Sequence, residues 1–144
     1  MALPEKRIIE FIHEHHVLTL ATVVEDNPWC SNCFYTYLEE ENCFVFTSDD
    51  ETKHAQDALK NSNVAGSVVL ETNTVGKIQG IQFRGMMVRP GETLHKKAKK
   101  AYLKKFPYAA LMKTSLWVLH IEYIKMTDNR LGFGKKLIWE KETN

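Results

Sequence analysis

Several things are scarce in this chain of 144 residues, and each shortage narrows what it can be. Three cysteines are too few, and odd in number, for a disulfide framework. A reduced, cytoplasmic protein is therefore expected. No apolar run approaches the roughly 20 residues that cross a bilayer. The opening stretch MALPEKRIIEFIHEHH mixes charges with apolar residues and lacks the unbroken core of a signal peptide, so no membrane partner is expected. With four prolines and seven glycines there is no linker, repeat or low-complexity tract. Neither sign of charge dominates: 19 Lys and Arg face 18 Asp and Glu, for a net +1. That balance argues against a general polyanion binder, and nucleic acid is not expected as a partner.

What is present suits one domain over residues 1–144. Apolar residues make up 44% and charged residues 26%, the proportions of an ordinary globular chain. The charges are unevenly placed. Residues 1–72 hold four Lys/Arg against thirteen Asp/Glu, net −9, and residues 73–144 hold fifteen against five, net +10. One folded domain would carry an acidic and a basic side, an arrangement suited to self-association or to an anionic ligand.

Local patterns predict a helix from Pro4 to about His15, with Ile8, Phe11, Ile12 and His15 on one face. Strands are predicted over 17–24, 29–38 and 43–47, with a turn at Asp26-Asn27-Pro28. Ser48-Asp49-Asp50-Glu51 matches a capping box, so a short helix should start there with Ser48 as its cap. Strands over 64–70 and 78–89 follow, then a helix over 93–105 with the stripe Leu94, Ala98, Ala101 and Tyr102, and a strand over 116–126. The tail from Thr127 to Trp139 is Gly-punctuated and ends in a short apolar run. Strands arrive in hairpin-linked clusters and do not alternate with helices. An antiparallel sheet or barrel of the α+β, mainly β class is expected.

Cys30-Ser31-Asn32-Cys33 has redox spacing, but inside a strand a separation of three sends the sulfurs to opposite faces. They are read as buried structural cysteines without a disulfide. His13 and His16 lack further ligands at a metal spacing, so no metal site is expected. The lysine-rich helix over 93–105 flanks an ordinary apolar stripe and is read as a solvated face. Leu131-Gly132-Phe133-Gly134-Lys135-Lys136 has the wrong spacing for a P-loop. The segment Thr47–His54 says more. It joins a strand to a helix start, where free amides favour an anion, and it offers the hydroxyls of Ser48 and Thr52 and the cation Lys53. A lysine in the first helical turn opposes the helix dipole, so Lys53→Ala is expected to leave the ligand-free fold nearly unchanged.

Thr127-Asp128-Asn129-Arg130-Leu131-Gly132-Phe133-Gly134-Lys135-Lys136-Leu137-Ile138-Trp139 is the most specific stretch. With Asn32-Cys33-Phe34-Tyr35, Thr52-Lys53-His54-Ala55 and Gly80-Ile81-Gln82-Phe83-Arg84-Gly85 it resembles the YhbP-type bacterial proteins, a group within the pyridoxamine 5′-phosphate oxidase-like, FMN-binding split barrels. The resemblance covers nearly the whole chain. It implies a six-stranded antiparallel split β-barrel with flanking helices, forming a homodimer with one FMN in each of two clefts between subunits. Thr47, Ser48, Thr52 and Lys53 would hold the phosphate. Asn32, with Ser31 and Phe34, would line the flavin ring, and Gln82 would make a polar contact to it. Trp117 and the Phe133–Lys136 segment, Lys135 included, would come from the other subunit. The paired C-terminal arginine and histidine that pyridoxamine phosphate oxidases use is not found, so that substrate is not expected. The function implied is an FMN-dependent oxidoreductase acting on a small-molecule substrate, with NAD(P)H as electron donor. The alternative is a non-catalytic module binding flavin, haem or another small ligand.

Overall fold

The computed structural model describes residues 2–143. Its elements are helix α1 (Lys6–Glu14), strands β1 (Val17–Val24), β2 (Asn27–Leu38) and β3 (Cys43–Ser48), helix α2 (Lys53–Lys60), strands β4 (Asn63–Val69) and β5 (Gln79–Val88), helix α3 (Glu92–Lys105), and strands β6 (Ser115–Asp128) and β7 (Lys136–Glu140). Short 3₁₀ turns lie at Val75–Lys77, Pro107–Leu111 and Asn129–Leu131.

All strand pairs are antiparallel. The order β3-β2-β1-β4-β5-β6 closes on itself because β3 also pairs with β6, from Cys43 opposite His120 to Ser48 opposite Ser115. Closure leaves those six strands without a free edge, which removes the main aggregation hazard of a sheet this size. The fold is thus a split barrel, as expected, but a seventh strand is added to the six. The apolar end of the tail forms β7, which pairs with the far half of β6, from Tyr123 opposite Glu140 to Thr127 opposite Lys136.

The period-2 alternation of the strands supplies the barrel core. Leu18 and Leu20 of β1, Tyr35 of β2, Phe44 and Phe46 of β3, and Trp117 and Leu119 of β6 are all fully buried. Each such side chain contributes roughly 1.5–3 kcal/mol on leaving water. Tyr35 and Phe44 meet edge to face at 5.0 Å, a favoured aromatic geometry. Helix α1 buries Ile8, Phe11 and Ile12, and the Tyr35 hydroxyl donates to the Ile12 carbonyl at 2.7 Å, fastening the helix to the sheet. Helix α3 buries Ala98 and Tyr102 from its predicted stripe. Among the described residues, no helix is long and apolar enough to cross a membrane.

Two local expectations are corrected. The first hairpin turns at Glu25-Asp26, with φ of 48° and 64°, and not at Asp26-Asn27-Pro28. Two consecutive left-handed residues match the twist of the strands they join, and Pro28 is tolerated close to the hairpin end of β2. The helix after β3 begins four residues later than Ser48 suggested. Its cap is Thr52, whose hydroxyl accepts from the Ala55 amide at 3.3 Å. Ser48 is the last residue of β3, held there by pairing with Ser115.

Candidate functional site

The junction of β3 and α2 brings together four of the residues singled out from sequence: Thr47, Ser48, Thr52 and Lys53. The Asp49 carboxylate accepts from the Glu51 amide at 2.9 Å, and the Thr52 hydroxyl donates to the Asp49 carbonyl at 2.8 Å, so the connection is a tight turn. The first amides of a helix have no intrahelical acceptor. In α2 the Gln56 amide bonds back to the Thr52 carbonyl and Thr52 caps Ala55. The amides of Lys53 and His54 are left for a ligand among the described residues.

Lys53 is fixed by two neighbours, Asp57 and Trp29. Its ammonium lies 3.1 Å from both carboxylate oxygens of Asp57, one helical turn on. It also stands 5.8 Å from the centre of the Trp29 ring, on β2. Asp57 is buried and accepts a third hydrogen bond, at 2.9 Å, from Thr22 of β1. Burial alone would raise the Asp57 carboxyl, but the bonds from Lys53 and Thr22 outweigh it and hold it below the ordinary carboxylate range. This corrects the expectation that Lys53 is dispensable to the fold.

Behind the turn, Ser48 and His54 share a hydrogen bond of 2.7 Å. Burial lowers the His54 ring below its ordinary pKa, so it is neutral near pH 7 and contributes a hydrogen bond, not a charge. On the other side, Arg89 at the end of β5 reaches Asp50 at 2.9 Å and stacks over Trp117 at 5.0 Å. The Asp50 carboxyl is held below its usual range by Ser115 and by Arg89. Thr22, Asp57 and Arg89 were not picked out from sequence. The i, i+4 spacing of Lys53 and Asp57 was a readable signal for one of them.

Asn32 and Gln82 lie elsewhere, on the outer face of the sheet. The register aligns Asn32, Thr19, Ser67, Gln82 and Lys125 in one transverse row across β2, β1, β4, β5 and β6. The Thr19 hydroxyl donates to the side-chain amide oxygen Oδ1 of Asn32 at 2.9 Å. Three strand spacings, about 14 Å in all, separate Asn32 from Gln82. The neighbouring outward residues Ala21, Cys30, Ala65 and Val69 leave this face open and weakly polar. Cys30 is exposed there, which corrects its reading as buried. Cys33 is buried on the opposite face, both are free thiols, and burial pushes the Cys33 thiol up to about 11.

Neither of the last two residues adds a polar group to the junction. Trp117 is 1% exposed, with its ring in the barrel core opposite Phe46. Lys135 is exposed on the tail turn, whose base is the buried carboxylate Asp128, gripped by Arg130 at 3.0 and 2.8 Å. That turn and Ser48 flank opposite ends of β6, at Thr127 and Ser115, some 40 Å apart along an extended strand. Within one chain, Lys135 and Lys53 do not share a site.

No protein-family profile matches the chain. A UPF0306 protein of Photorhabdus laumondii is 39% identical over 134 residues, covering 93% of this chain and 94% of the relative. The UPF0306 protein YhbP of Salmonella arizonae is 36% identical over 137 residues, covering 95% and 93%. Among solved structures, a heme-binding protein of Mycobacterium smegmatis superposes with a TM-score of 0.74 at 21% identity, over 87% of this chain and 52% of that one. A FAD-binding protein of Mesorhizobium loti gives 0.69 at 14%, over 83% and 91%. A putative pyridoxamine 5′-phosphate oxidase of Listeria innocua gives 0.63 at 13%, over 83% and 94%. At these identities the structures speak for the fold alone.

Proposed function

The chain belongs to the YhbP-type UPF0306 family, and on that premise we propose that it is a flavin-binding split barrel that holds FMN at the β3–α2 junction and serves as an oxidoreductase of a small molecule. The observation that carries this reading is the donor set at the start of α2. Two unbonded amides and the half-exposed Lys53 ammonium form a receptor for a dianionic phosphate, and the helix dipole adds to it. Asp49 and Glu51 oppose an anion there, while the third acid of the turn, Asp50, is partly offset by Arg89. The donors present fit the phosphate group of FMN.

FMN, when bound, would supply reversible hydride acceptance, and NAD(P)H is the donor proposed. The chain's own residues do the rest. Lys53 and the first α2 amides anchor the phosphate, and Thr52 holds the turn that presents them. Asn32 offers an amide to the polar edge of the ring from the open outer face, with Gln82 in the same row. Trp117, enclosed in the core, is left out of this set. Lys135 joins it only from a second copy of the chain, and the open, small-residue face of β1 and β4 gives a homodimer a surface to form on. The cytoplasmic setting remains part of this proposal.

A second reading, a ligand carrier without turnover, is favoured by the likeness in fold to a protein described as heme-binding. Purified protein incubated separately with FMN and with hemin, then desalted, separates the two by its visible spectrum. FMN retention followed by NADH or NADPH oxidation supports the first reading. Hemin retention without FMN retention overturns it in favour of the second.

A further inference from the structure

A second recess, on the basic side of the molecule, is not used by the flavin reading. It is a cleft of about 420 Å³ between α3, the Pro107–Leu111 turn and the ends of β3, β5 and β6. That volume is in the range of small-ligand sites. Its polar wall holds Arg89, His95 and Lys99, and no carboxylate lines it. His95 and Lys99 stand one turn apart on α3, so both face the cleft from one side of the helix. Two basic groups at that spacing repel when both are charged, and neither is among the ion pairs of the described residues. The hydroxyls of Thr47 and Tyr102 stand 3.5 Å apart on the floor. Leu103 and Leu116 supply apolar surface beside them.

We propose that this cleft binds a small organic anion, its acidic head held by Arg89 and Lys99 with His95, and its compact apolar body against Leu103 and Leu116. Arg89 is already positioned for this. Its guanidinium carbon stands 5.0 Å from the centre of the Trp117 ring, and its acidic partner, Asp50, is at the rim, so an incoming anion meets a guanidinium held in place. A preorganised guanidinium loses less freedom on binding than a free side chain. The cleft also adjoins the β3–α2 junction through Thr47 and Asp50, which puts a bound anion beside that turn. The inference goes beyond the flavin reading and rests on different residues.

The test uses ligand-free protein and three probes of similar shape: benzoate, phenyl phosphate and the neutral benzamide. Binding is measured by titration calorimetry and ligand-detected NMR, with thermal melts to verify that each variant is folded. The expected result is binding of one or both anions at millimolar concentration or tighter, with benzamide at least tenfold weaker. Lys99→Gln should weaken the anion at least tenfold, Lys99→Arg should restore most of it, and Lys53→Gln should leave benzoate binding unchanged. Benzoate and phenyl phosphate distinguish a carboxylate from a phosphate preference. Equal binding of benzamide, no anion binding, or benzoate binding lost in Lys53→Gln but kept in Lys99→Gln would overturn the proposal. Failure of FMN to bind would count against the flavin reading and leave this one standing.

Discussion

Lys53 and Asp57 form a two-pronged pair, 3.1 Å on each side, in which the acid is buried and the base is half exposed. The asymmetry decides what each substitution does. Removing the lysine strands a buried carboxylate that keeps only Thr22 as a donor. Lys53→Ala should therefore destabilise the ligand-free fold by about 1–3 kcal/mol, the range for leaving a buried acceptor unsatisfied. Thermal or urea unfolding checks this, and an unchanged midpoint would show that solvent alone satisfies Asp57.

The same pair is linked to pH. The folded Asp57 carboxyl is depressed, so its stabilising effect is present above the unfolded value of about 4 and is lost as pH falls through the folded value. Wild type and Asp57→Asn should differ most at neutral pH and converge in acid. Unfolding midpoints at pH 7 and pH 3 measure the difference.

Three histidines act in a higher window. Burial lowers the rings of His15, His54 and His120 in the folded chain. Below about pH 6.5 the unfolded chain takes up protons before the folded one does, so stability should fall as pH drops from there. Melting temperatures should decline between pH 7.5 and 5.5, and His54→Gln should flatten part of that slope. A profile level across this range would show that the three rings protonate without cost to the fold.

The helix cap supplies a paired comparison. Thr52→Ala should cost about 1 kcal/mol, the usual loss of a side-chain N-cap. Ser48→Ala removes no cap and instead unpairs His54, so it should alter the pH slope more than the neutral-pH midpoint. Unfolding of both variants at two pH values distinguishes the roles.

These residues also show what the sequence could disclose. The strand over 17–24 was readable because alternate residues of β1 face the core, and α1 because Ile8, Phe11 and Ile12 share one face. The capping box at Ser48 was a sound local pattern that lost to a distant one. Pairing with Ser115, 67 positions away, extends β3 through Ser48 and delays the helix. Long-range pairing likewise buried Trp117 and separated Lys135 from the junction. Asp57 could be matched to Lys53 by spacing, but Thr22 enters only because β1 runs beneath α2. The cleft lined by Arg89, His95 and Lys99 is a product of tertiary packing, with no trace in local periodicity.

Gly85 tests the barrel itself. The β5–β6 register shifts between Arg84 and Gly85, and a Cβ at Gly85 would collide with the His120 carbonyl oxygen. A backbone atom in a closed sheet has little room to yield. Gly85→Ala should cost about 3 kcal/mol or more, the upper range for overpacking. The soluble yield and melting temperature of the variant check this.

The proposed homodimer places the outer row of β1 and β4 in the contact. Wild type should sediment as a dimer, and Ala65→Arg, which plants a charge at the centre of that face, should shift it toward a monomer with an unchanged melting onset at low concentration. A monomer of 16.7 kDa at micromolar wild-type concentration would remove the second copy from the site.

Strand β6 pairs with β5 from Val118 to Asp128 and has two neighbours in succession along its other edge, first β3 and then β7. Closure of the ring uses only the first of these, so β7 can detach while the six strands stay hydrogen bonded. Opening of the chain's end is thereby uncoupled from global unfolding. Amides of Leu137 and Trp139 should exchange with solvent at rates set by local fraying, well ahead of those in Val45 and Val118. The last strand can then report on whatever docks against the tail turn, while the barrel stays closed.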